Sequence, residues 1–279
     1  MVTNPDRPAG RGMELQASPV KQAAQRAGID VKQPAKARDP EFHEQIRAIG
    51  PDVAVVVAYG KILPAALLEI PRKGFVNVHF SLLPAYRGAA PVQHAIVDGR
   101  NETGISIMVL TEGMDEGPVV AEERVPIRDD DTAASLGERM ASIGARLLVP
   151  TLDGYVNGDL KPVEQDHEAA TYAPKVDTDV ARIDWSAPAA RIRNLVRGLN
   201  PAPGAWTMLG DARLKVYSTE VVDDTSTRPG QLGVIDDELV VGTGDGALAL
   251  TEVQLAGKKR MVGAELARGL RLSGDERFQ

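Results

Sequence analysis

The 279-residue sequence contains no cysteine. This absence excludes disulfides, a thiol nucleophile and cysteine-ligated metals, and it is compatible with a cytoplasmic protein. No apolar run approaches the length of about 18 residues that a membrane-spanning helix needs, so we expect no membrane span. The N-terminus lacks a charged start followed by an apolar core, and we therefore expect no secretory signal.

The composition is otherwise that of a globular protein, with 43% apolar residues in a chain long enough for two domains. The formal net charge of -7, taken alone, argues against a nucleic-acid partner. The charges are unevenly distributed, however. Residues 1–38 carry seven basic residues against three acidic ones, and residues 182–215 carry six against two. Such patches can hold a phosphate backbone, although ordinary solvated surfaces have the same composition.

The most informative stretch covers residues 75–88 and reads Phe-Val-Asn-Val-His-Phe-Ser-Leu-Leu-Pro-Ala-Tyr-Arg-Gly. Its first five residues predict a short strand, in which Asn77 and His79 point to the same side, about 6.5 Å apart. Burial of an amide and an imidazole is costly without hydrogen-bond partners, so the pair suggests a functional site. From the spacing alone, a structural histidine satisfied by a nearby carboxylate is the more frequent interpretation.

This stretch resembles the signature of the 10-formyltetrahydrofolate-dependent formyltransferases, which is Asn-x-His, Ser-Leu-Leu-Pro and Arg-Gly, with an Asp about three dozen residues later. Here that Asp is Asp115. Segments 6–12, 58–64 and 181–185 are similar to those of the members that act on methionyl-tRNA. The resemblance covers nearly the whole chain. It implies transfer of a formyl group from 10-formyltetrahydrofolate to the α-amino group of methionyl-initiator tRNA, for translation initiation, without a metal.

Two alternatives remain open. The first is another folate-dependent formyltransferase that acts on a small amine, such as glycinamide ribonucleotide or an amino sugar. The second is an inactive fragment that binds tRNA. It is considered because the family begins with a strand, a Gly-Thr-Pro turn and a helix, about thirty residues that precede the first residues of this sequence. A truncated gene product, a start codon assigned too late or a deliberately cut sequence would each account for this start.

The resemblance also implies catalytic roles. Asn77 would donate hydrogen bonds to the oxyanion that forms on the formyl group. His79 would donate to the same oxygen or pass a proton to the leaving nitrogen. Asp115 would hold the His79 ring and favour its charged form, or relay the amine proton through water.

The residues expected to bind folate lie in turns that follow the predicted strands, where ligands of open α/β sheets bind. They are Ser81, Leu82, Leu83, Pro84, Tyr59, Gly60, Gly113 and Gly117. Two neighbouring positions depart from the family pattern. Phe80 stands where a small residue is usual and would need room, and Glu116 is a second carboxylate that would weaken the pull of Asp115 on His79.

Candidate tRNA contacts form three basic groups: the Gly-rich loop 4–17, a helix near residue 190 and a loop near residue 259. They would hold the tRNA backbone without reading its sequence. The residues are Arg7, Arg11, Arg191, Arg193, Arg197, Lys258, Lys259 and Arg260.

Alternating strand and helix patterns predict a doubly wound, Rossmann-like α/β domain over residues 1–157. Within it, a continuous apolar strand at 53–58 is expected to be buried on both faces. A helix from Pro40 to Gly50 is expected to turn Phe42, Ile46 and Ile49 inward and His43 outward. A helix capped by Asp131 or Thr132 follows the last strand.

A linker is predicted over residues 158–178 and a second domain over residues 179–279. Five short strands with tight turns suggest a small β-barrel of the oligonucleotide-binding type. The predicted strands are 205–209, 214–221, 231–235, 239–242 and 247–255, and a helix follows at 264–270. We expect the protein to be a cytoplasmic monomer.

Overall fold

The computed structural model describes residues 1–9, 13–223, 227–270 and 276–278. The chain divides into two compact units, each assembled from several segments. The first unit comprises Met1–His79, Ser106–Glu122 and Arg146–His167. The second comprises Phe80–Ile105, Glu123–Ala145 and Glu168–Gln279. In the described part of the chain, no helix is both long and apolar enough to cross a membrane.

The first unit begins with an antiparallel hairpin of β1 (Arg7–Ala9) and β2 (Glu14–Gln16), where the sequence predicted only a loop. The base of the hairpin is held by Asp6, which accepts hydrogen bonds from Lys21 Nζ at 2.6 Å and Gln33 Nε2 at 2.7 Å. These contacts join residues 15 and 27 positions apart, so the local sequence did not show them. Arg11 lies outside the described residues.

The side chains of Ser18 and Asp39 cap the first turns of helices α1 (Pro19–Arg26) and α2 (Pro40–Ile49), and the predicted start of α2 is confirmed. The predicted orientation of α2 is partly wrong.

His43 is buried rather than exposed, with its Nε2 atom 2.8 Å from the Ala37 carbonyl oxygen. Ile49 is 61% exposed, because it is the last helical residue and lies beyond the apolar cluster that contains Phe42, Ile46 and Phe75.

Strands β3 (Ala54–Val56), β4 (Phe75–His79), β5 (Glu102–Val109) and β6 (Val119–Pro126) form one sheet in this order. The alternation of strand and helix is confirmed, and the sheet is mixed. β3 runs parallel to β4, and β4 runs antiparallel to β5.

The prediction of a strand buried on both faces at 53–58 is wrong. Within the described residues β3 pairs with β4 alone, which makes it an edge strand. Ala54 and Val56 pack against the apolar cluster, whereas the alternating side chains of Val55 and Val57 are 40% and 51% exposed, so only one side of this strand is covered.

Short helices α3 (Ala65–Leu68) and α4 (Pro91–Val97) precede and follow β4 in the chain. The long helix α5 (Ala133–Asn157) begins after Thr132, which is therefore the capping residue. The Ser135 N–H donates to Thr132 Oγ1 at 3.2 Å, and the Thr132 N–H donates back to Ser135 Oγ at 2.9 Å. This reciprocal pair satisfies backbone donors at the helix start.

The segment 158–178 makes regular backbone contacts in each unit. In the first unit, Val163 exchanges two hydrogen bonds of 2.8 Å with Val119. In the second unit, the Ala173 N–H donates to the Arg87 carbonyl at 2.7 Å. Gly88 has a φ of +119°, and a Cβ there would lie 2.8 Å from the Ala173 carbonyl oxygen, so this approach requires glycine.

The second unit contains α6 (Ala189–Gly198) and an antiparallel sheet. Its strands are β7 (Ala205–Leu209), β8 (Ala212–Val222), β9 (Leu232–Ile235), β10 (Glu238–Gly242), β11 (Ala247–Leu255) and the short β12 (Met261–Val262). The strand order is β7-β8-β11-β10-β9. The five predicted strands are confirmed to within two residues at their ends. The two-residue β12, paired with β11, was missed because it is too short to show a pattern. Closure into a barrel stays a prediction. Helix α7 (Gly263–Leu270) follows β12 in the chain.

A buried carboxylate fixes the turn before α5 in the second unit. Asp131 accepts hydrogen bonds from Arg139 at 2.8 and 2.6 Å, from the Arg128 N–H at 2.8 Å and from Ser135 Oγ at 3.0 Å. Burial alone would raise the pKa of Asp131, but these donors outweigh burial, and its pKa is lowered.

We expect Asp131→Asn to lower the free energy of unfolding by about 2 kcal/mol at pH 7, because charge-assisted hydrogen bonds are lost. A carboxyl with a lowered folded-state pKa stabilises the protein above its unfolded value of about 3.9. The difference between wild type and variant should therefore vanish as the pH falls through the folded pKa. Urea unfolding at several pH values measures it. Glu44→Gln, which breaks an exposed pair with Arg47, is the control and should change stability little. A pH-independent deficit in Asp131→Asn would contradict this account.

Candidate active site

The end of β4 presents the two polar side chains that the sequence singled out. Alternation along the strand places Asn77 and His79 on one face and the buried Val76 and Val78 on the other. His79 is only 5% exposed. Its cross-strand neighbour on β5 is Ser106, so the imidazole is held by a paired strand and not by a loop.

Asp115 lies in the loop that joins β5 to β6. The two ends of this loop are tied together by a hydrogen bond from the Val109 N–H to the Pro118 carbonyl at 2.9 Å. Its first residues are also tied to β4, because the Leu110 N–H donates to the Phe75 carbonyl at 2.8 Å. Gly117 lies so close to the Val109 carbonyl that a Cβ would collide with it. Asp115 itself has a φ of +49°, a left-handed conformation that Asp tolerates better than most residues.

The loop brings Asp115 Oδ2 to 3.6 Å from His79 Nδ1. This separation is too long for a hydrogen bond and short enough for an ion pair with a protonated ring. Both side chains are largely buried, so little solvent screens the pair. The structure therefore places the Asp115 carboxylate against the His79 imidazole, on a strand whose alternation directs Asn77 to the same side as His79. Such a set can stabilise a developing oxyanion and transfer a proton.

Gln165 also belongs to this site, although the sequence analysis placed it in a linker. Its Nε2 atom donates to the Asp115 carbonyl at 2.9 Å and to the Gly117 carbonyl at 2.7 Å. The side chain is buried at 8% exposure. No pattern in the sequence links residue 165 to residue 115, because the contact spans 50 positions.

A second polar pair includes Ser106, the cross-strand neighbour of His79. Ser106 is fully buried, and its hydroxyl donates to Glu122 Oε1 on β6 at 2.8 Å. The sequence gave no reason to select either residue. Among the described residues, no group of three or more His, Asp or Glu side chains is placed to hold a metal ion.

Residues 81–84, expected to bind folate, form a compact turn in the second unit. The Ser81 hydroxyl donates to the Ala85 carbonyl at 2.5 Å, and the Ala85 N–H donates to the Leu82 carbonyl at 3.0 Å. The Leu82 side chain packs against the backbone of Gly104, which has no Cβ to displace it. Leu83 is buried and Pro84 is half-buried. The side chains of this turn thus support its shape.

Tyr59 and Gly60, the other folate candidates after a strand, lie in the first unit. The Tyr59 ring packs against the apolar cluster of Phe42, Leu67 and Phe75. Burial raises the pKa of the Tyr59 hydroxyl. This hydroxyl is enclosed, and no described residue offers it a hydrogen-bond partner. Gly60 is exposed.

The two positions that depart from the family pattern are accommodated differently. Phe80 is half-buried directly after β4. Glu116 is exposed, and its carboxyl group lies against the backbone of Gly113, where a Cβ would collide with it. Gly113 is therefore covered by a side chain of its own loop.

The basic candidates fall into two kinds. Arg193 donates to the Asp129 carbonyl at 2.8 Å, and Arg197 donates to the Arg128 and Asp131 carbonyls at 3.0 and 3.3 Å. Burial lowers the pKa of Arg197. These two side chains hold the turn before α5 within the second unit. The exposed candidates are Arg7, Arg191, Lys258, Lys259 and Arg260.

Three arginines lie on aromatic rings of the second unit: the predicted candidate Arg260, and Arg182 and Arg213, which the sequence did not single out. The guanidinium groups of Arg213 and Arg182 lie 4.0 and 5.7 Å from the centre of the Trp206 ring, and that of Arg260 lies 3.5 Å from the Tyr217 ring. All three arginines are exposed. We call Arg182, Arg213 and Arg260 the stacked arginines. The alternation of Arg213, Lys215 and Tyr217 along β8 was the available signal.

Comparison with known protein families gives two matches. Residues 1–152 match the family described as formyl transferase. Residues 175–271 match the family described as formyl transferase, C-terminal domain.

Several named relatives align over almost the entire chain. A methionyl-tRNA formyltransferase of Streptomyces griseus is 50% identical over 277 residues, which is 99% of this chain and 89% of the relative. One from Thermobifida fusca is 47% identical over 279 residues, covering 100% of this chain and 90% of the relative.

Solved structures share the fold at lower identity. An N-formyltransferase of Helicobacter canadensis, crystallised with folinic acid and dTDP-3-aminofucose, superposes with a TM-score of 0.68 at 16% identity, over 89% of this chain and 86% of that one. HypX of Aquifex aeolicus in complex with tetrahydrofolic acid gives a TM-score of 0.65 at 19% identity, over 85% of this chain and 42% of that one.

We expect Tyr59→Phe to raise the free energy of unfolding by about 1 kcal/mol, because it removes a buried hydroxyl without a partner. Tyr155→Phe is the matched control in the same unit, since the Tyr155 hydroxyl donates to the Lys73 carbonyl at 2.9 Å. That variant should lose about 1 kcal/mol. Thermal or urea unfolding compares the two. Shifts of the same sign would mean that the Tyr59 hydroxyl has a partner in solution.

Proposed function

The chain belongs to the formyl transferase family, and on this premise we propose that it formylates the α-amino group of methionyl-initiator tRNA. The formyl donor is 10-formyltetrahydrofolate, and the product serves translation initiation. The observation that carries the proposal is the position of Asp115 against the buried His79, beside Asn77, in a chain about half identical to named methionyl-tRNA formyltransferases.

The acceptor needs little activation. An α-amino group has a pKa of roughly 8, so a useful fraction is neutral and nucleophilic near pH 7. The amine nitrogen attacks the formyl carbon, and negative charge develops on the formyl oxygen. Asn77 can donate to that oxygen without a change in its own charge.

The second half of the reaction breaks the bond between the formyl carbon and N10 of the folate. His79 can donate a proton to N10 as this bond breaks, and Asp115 stabilises the charged ring that makes the donation possible. The amine loses one proton, which Asp115 can accept through water. The net result is the transfer of one formyl group and one proton in opposite directions between donor and acceptor.

Folate binding is proposed for the turns named above. The turn of residues 81–84 is the strongest of these candidates, because its side chains are used within the turn and its backbone is left to meet the ligand. Gly113 and Gly117 are weaker candidates, since the Glu116 side chain covers Gly113 and the Gly117 carbonyl accepts a hydrogen bond from Gln165. Tyr59 is the weakest of these candidates, since its hydroxyl is enclosed among apolar side chains.

We assign the chemistry to residues 1–157 and tRNA binding mainly to residues 179–279, with residues 158–178 between them. The stacked arginines, with Lys258 and Lys259, form the proposed contact with the tRNA backbone in the C-terminal part. A guanidinium group fixed on an aromatic ring loses less side-chain freedom when it binds a phosphate. Arg193 and Arg197 contribute less, because carbonyl groups occupy their donors. A monomer in the cytoplasm is the proposed working form.

The proposed reaction is tested with radiolabelled formyl donor and three acceptors: methionyl-initiator tRNA, glycinamide ribonucleotide and a nucleotide-linked amino sugar. We expect kcat/KM to be highest for the tRNA. His79→Ala and Asn77→Ala should each lose about 10²-fold or more in kcat, because a proton donor or an oxyanion donor is removed.

The matched control for the histidine is His94→Gln on α4, which can keep the 3.0 Å contact to the Pro174 carbonyl and should retain its activity. A preference for a small amine would replace the proposed acceptor. Normal turnover in both site variants would remove the catalytic assignment.

The tRNA contact is tested with Arg213→Ala and Arg182→Ala. Each should raise KM for the tRNA, and the slope of log(kcat/KM) against log salt should become shallower by about one for each lost phosphate contact. Arg146→Ala is the control, since Arg146 is exposed on α5 and outside the proposed contact. Equal slopes in all variants would show that these arginines do not contact the phosphate backbone.

A further inference from the structure

We infer that Gln165 is a positioning residue that holds Asp115 in place for proton transfer at His79. The inference rests on the proposed function, because it assigns to Asp115 a part in that reaction. Gln165 itself is not proposed to touch either substrate.

The contacts are specific to the loop that carries the carboxylate. One amide nitrogen of Gln165 donates to the carbonyls of Asp115 and Gly117, at 2.9 and 2.7 Å. The Asp115 carbonyl belongs to the peptide that joins residues 115 and 116, and the Gly117 carbonyl to the peptide that joins residues 117 and 118, so one side chain fixes two peptide groups of the loop. A primary amide is suited to this arrangement because its nitrogen carries two hydrogens.

The backbone of the loop needs such support. Asp115 has a φ of +49°, a left-handed conformation that is unfavourable for a residue with a side chain. The hydrogen bond from Gln165 to the Asp115 carbonyl helps to hold this conformation. Loss of the Gln165 donors therefore favours a different peptide orientation, and the direction of the Asp115 side chain changes with it.

Gln165 is held as firmly as the loop. Two residues earlier, Val163 exchanges hydrogen bonds of 2.8 Å in both directions with Val119, the first residue of β6. The side chain of Gln165 is buried, so it has little freedom to leave the loop. A connection thus runs from β6 through Val163 and Gln165 to Asp115 and His79, entirely within the first unit.

The consequence for the reaction follows from the distance at the site. Asp115 Oδ2 lies 3.6 Å from His79 Nδ1, close to the limit at which the pair still interacts strongly. A displacement of about 1 Å in a catalytic group costs on the order of 10²-fold in rate. The effect should appear in kcat, because the carboxylate acts during bond breaking and does not hold the tRNA.

The experiment compares Gln165→Leu with wild type in the formylation assay. Leucine keeps most of the apolar volume and has no donor. We expect kcat to fall about 10- to 100-fold, with less than a threefold change in KM for the tRNA. In an Asp115→Asn background the same substitution should lower kcat less than twofold further, because the group that Gln165 positions is already impaired.

Thr151→Val is the matched structural control. Thr151 is buried at 4% exposure in the same unit and donates to the Leu147 carbonyl at 2.7 Å, away from the loop. It should change the unfolding midpoint and leave kcat unchanged. Circular dichroism verifies that each variant is folded. If Gln165→Leu does not fold, Gln165→Met, with an unbranched chain of similar length, is judged by the same criteria.

Several outcomes would overturn the inference. The first is a double variant in which the kcat losses of Gln165→Leu and Asp115→Asn multiply. The second is a Gln165→Leu variant with a raised KM and an unchanged kcat. The third is a failure of both Gln165 variants to fold. Wild-type protein that does not formylate methionyl-tRNA overturns the proposed function instead. If wild type is active, Asp115→Asn is inactive and Gln165→Leu is fully active, only the role of Gln165 is overturned.

Discussion

The proposed chemistry depends on the contact between His79 and Asp115. A strand fixes the buried imidazole of His79, and a loop fixes the carboxylate of Asp115. β4 sets the position of the ring through its pairing with β5. The loop has no such ladder and relies on a few hydrogen bonds at its ends and on Gln165 in its middle. The two partners are thus held by different kinds of structure, and the loop is the one that more easily loses its geometry.

The basic residues of the second unit show that charge alone does not identify a nucleic-acid contact. Arg193 and Arg197 direct their donors at backbone carbonyls and hold a turn in place. Arg182 and Arg213 instead lie over the Trp206 ring and leave their edges exposed. Only the second kind can meet phosphate oxygens without first breaking internal hydrogen bonds. The sequence shows both kinds as the same local excess of arginine.

Local signals were sufficient for much of the fold. Asp39 caps the helix that was predicted from Pro40, because a cap acts within three residues. The strand that carries Asn77 and His79 also followed from its own alternation, and the resemblance to a known family supplied Asp115. What failed depends on distant neighbours. Only the side of β3 that carries Ala54 and Val56 packs against the apolar cluster, which leaves Val55 exposed, and His43 is buried with its ring nitrogen at the Ala37 carbonyl. Gln165 could not be predicted for the same reason.

The two backbone pairings of the segment 158–178 constrain how this protein can diverge. Val163 is in register with Val119, and Gln165 reaches the loop only because it stands two residues after that bridge. Tyr172 is likewise in register with Arg87. Exposed side chains between these anchors can change during evolution while Gln165 is kept, but an insertion or deletion between Val163 and Gln165 would move the amide by a full residue, about 3.3 Å. Homologous genes should therefore vary here in composition and hardly at all in length.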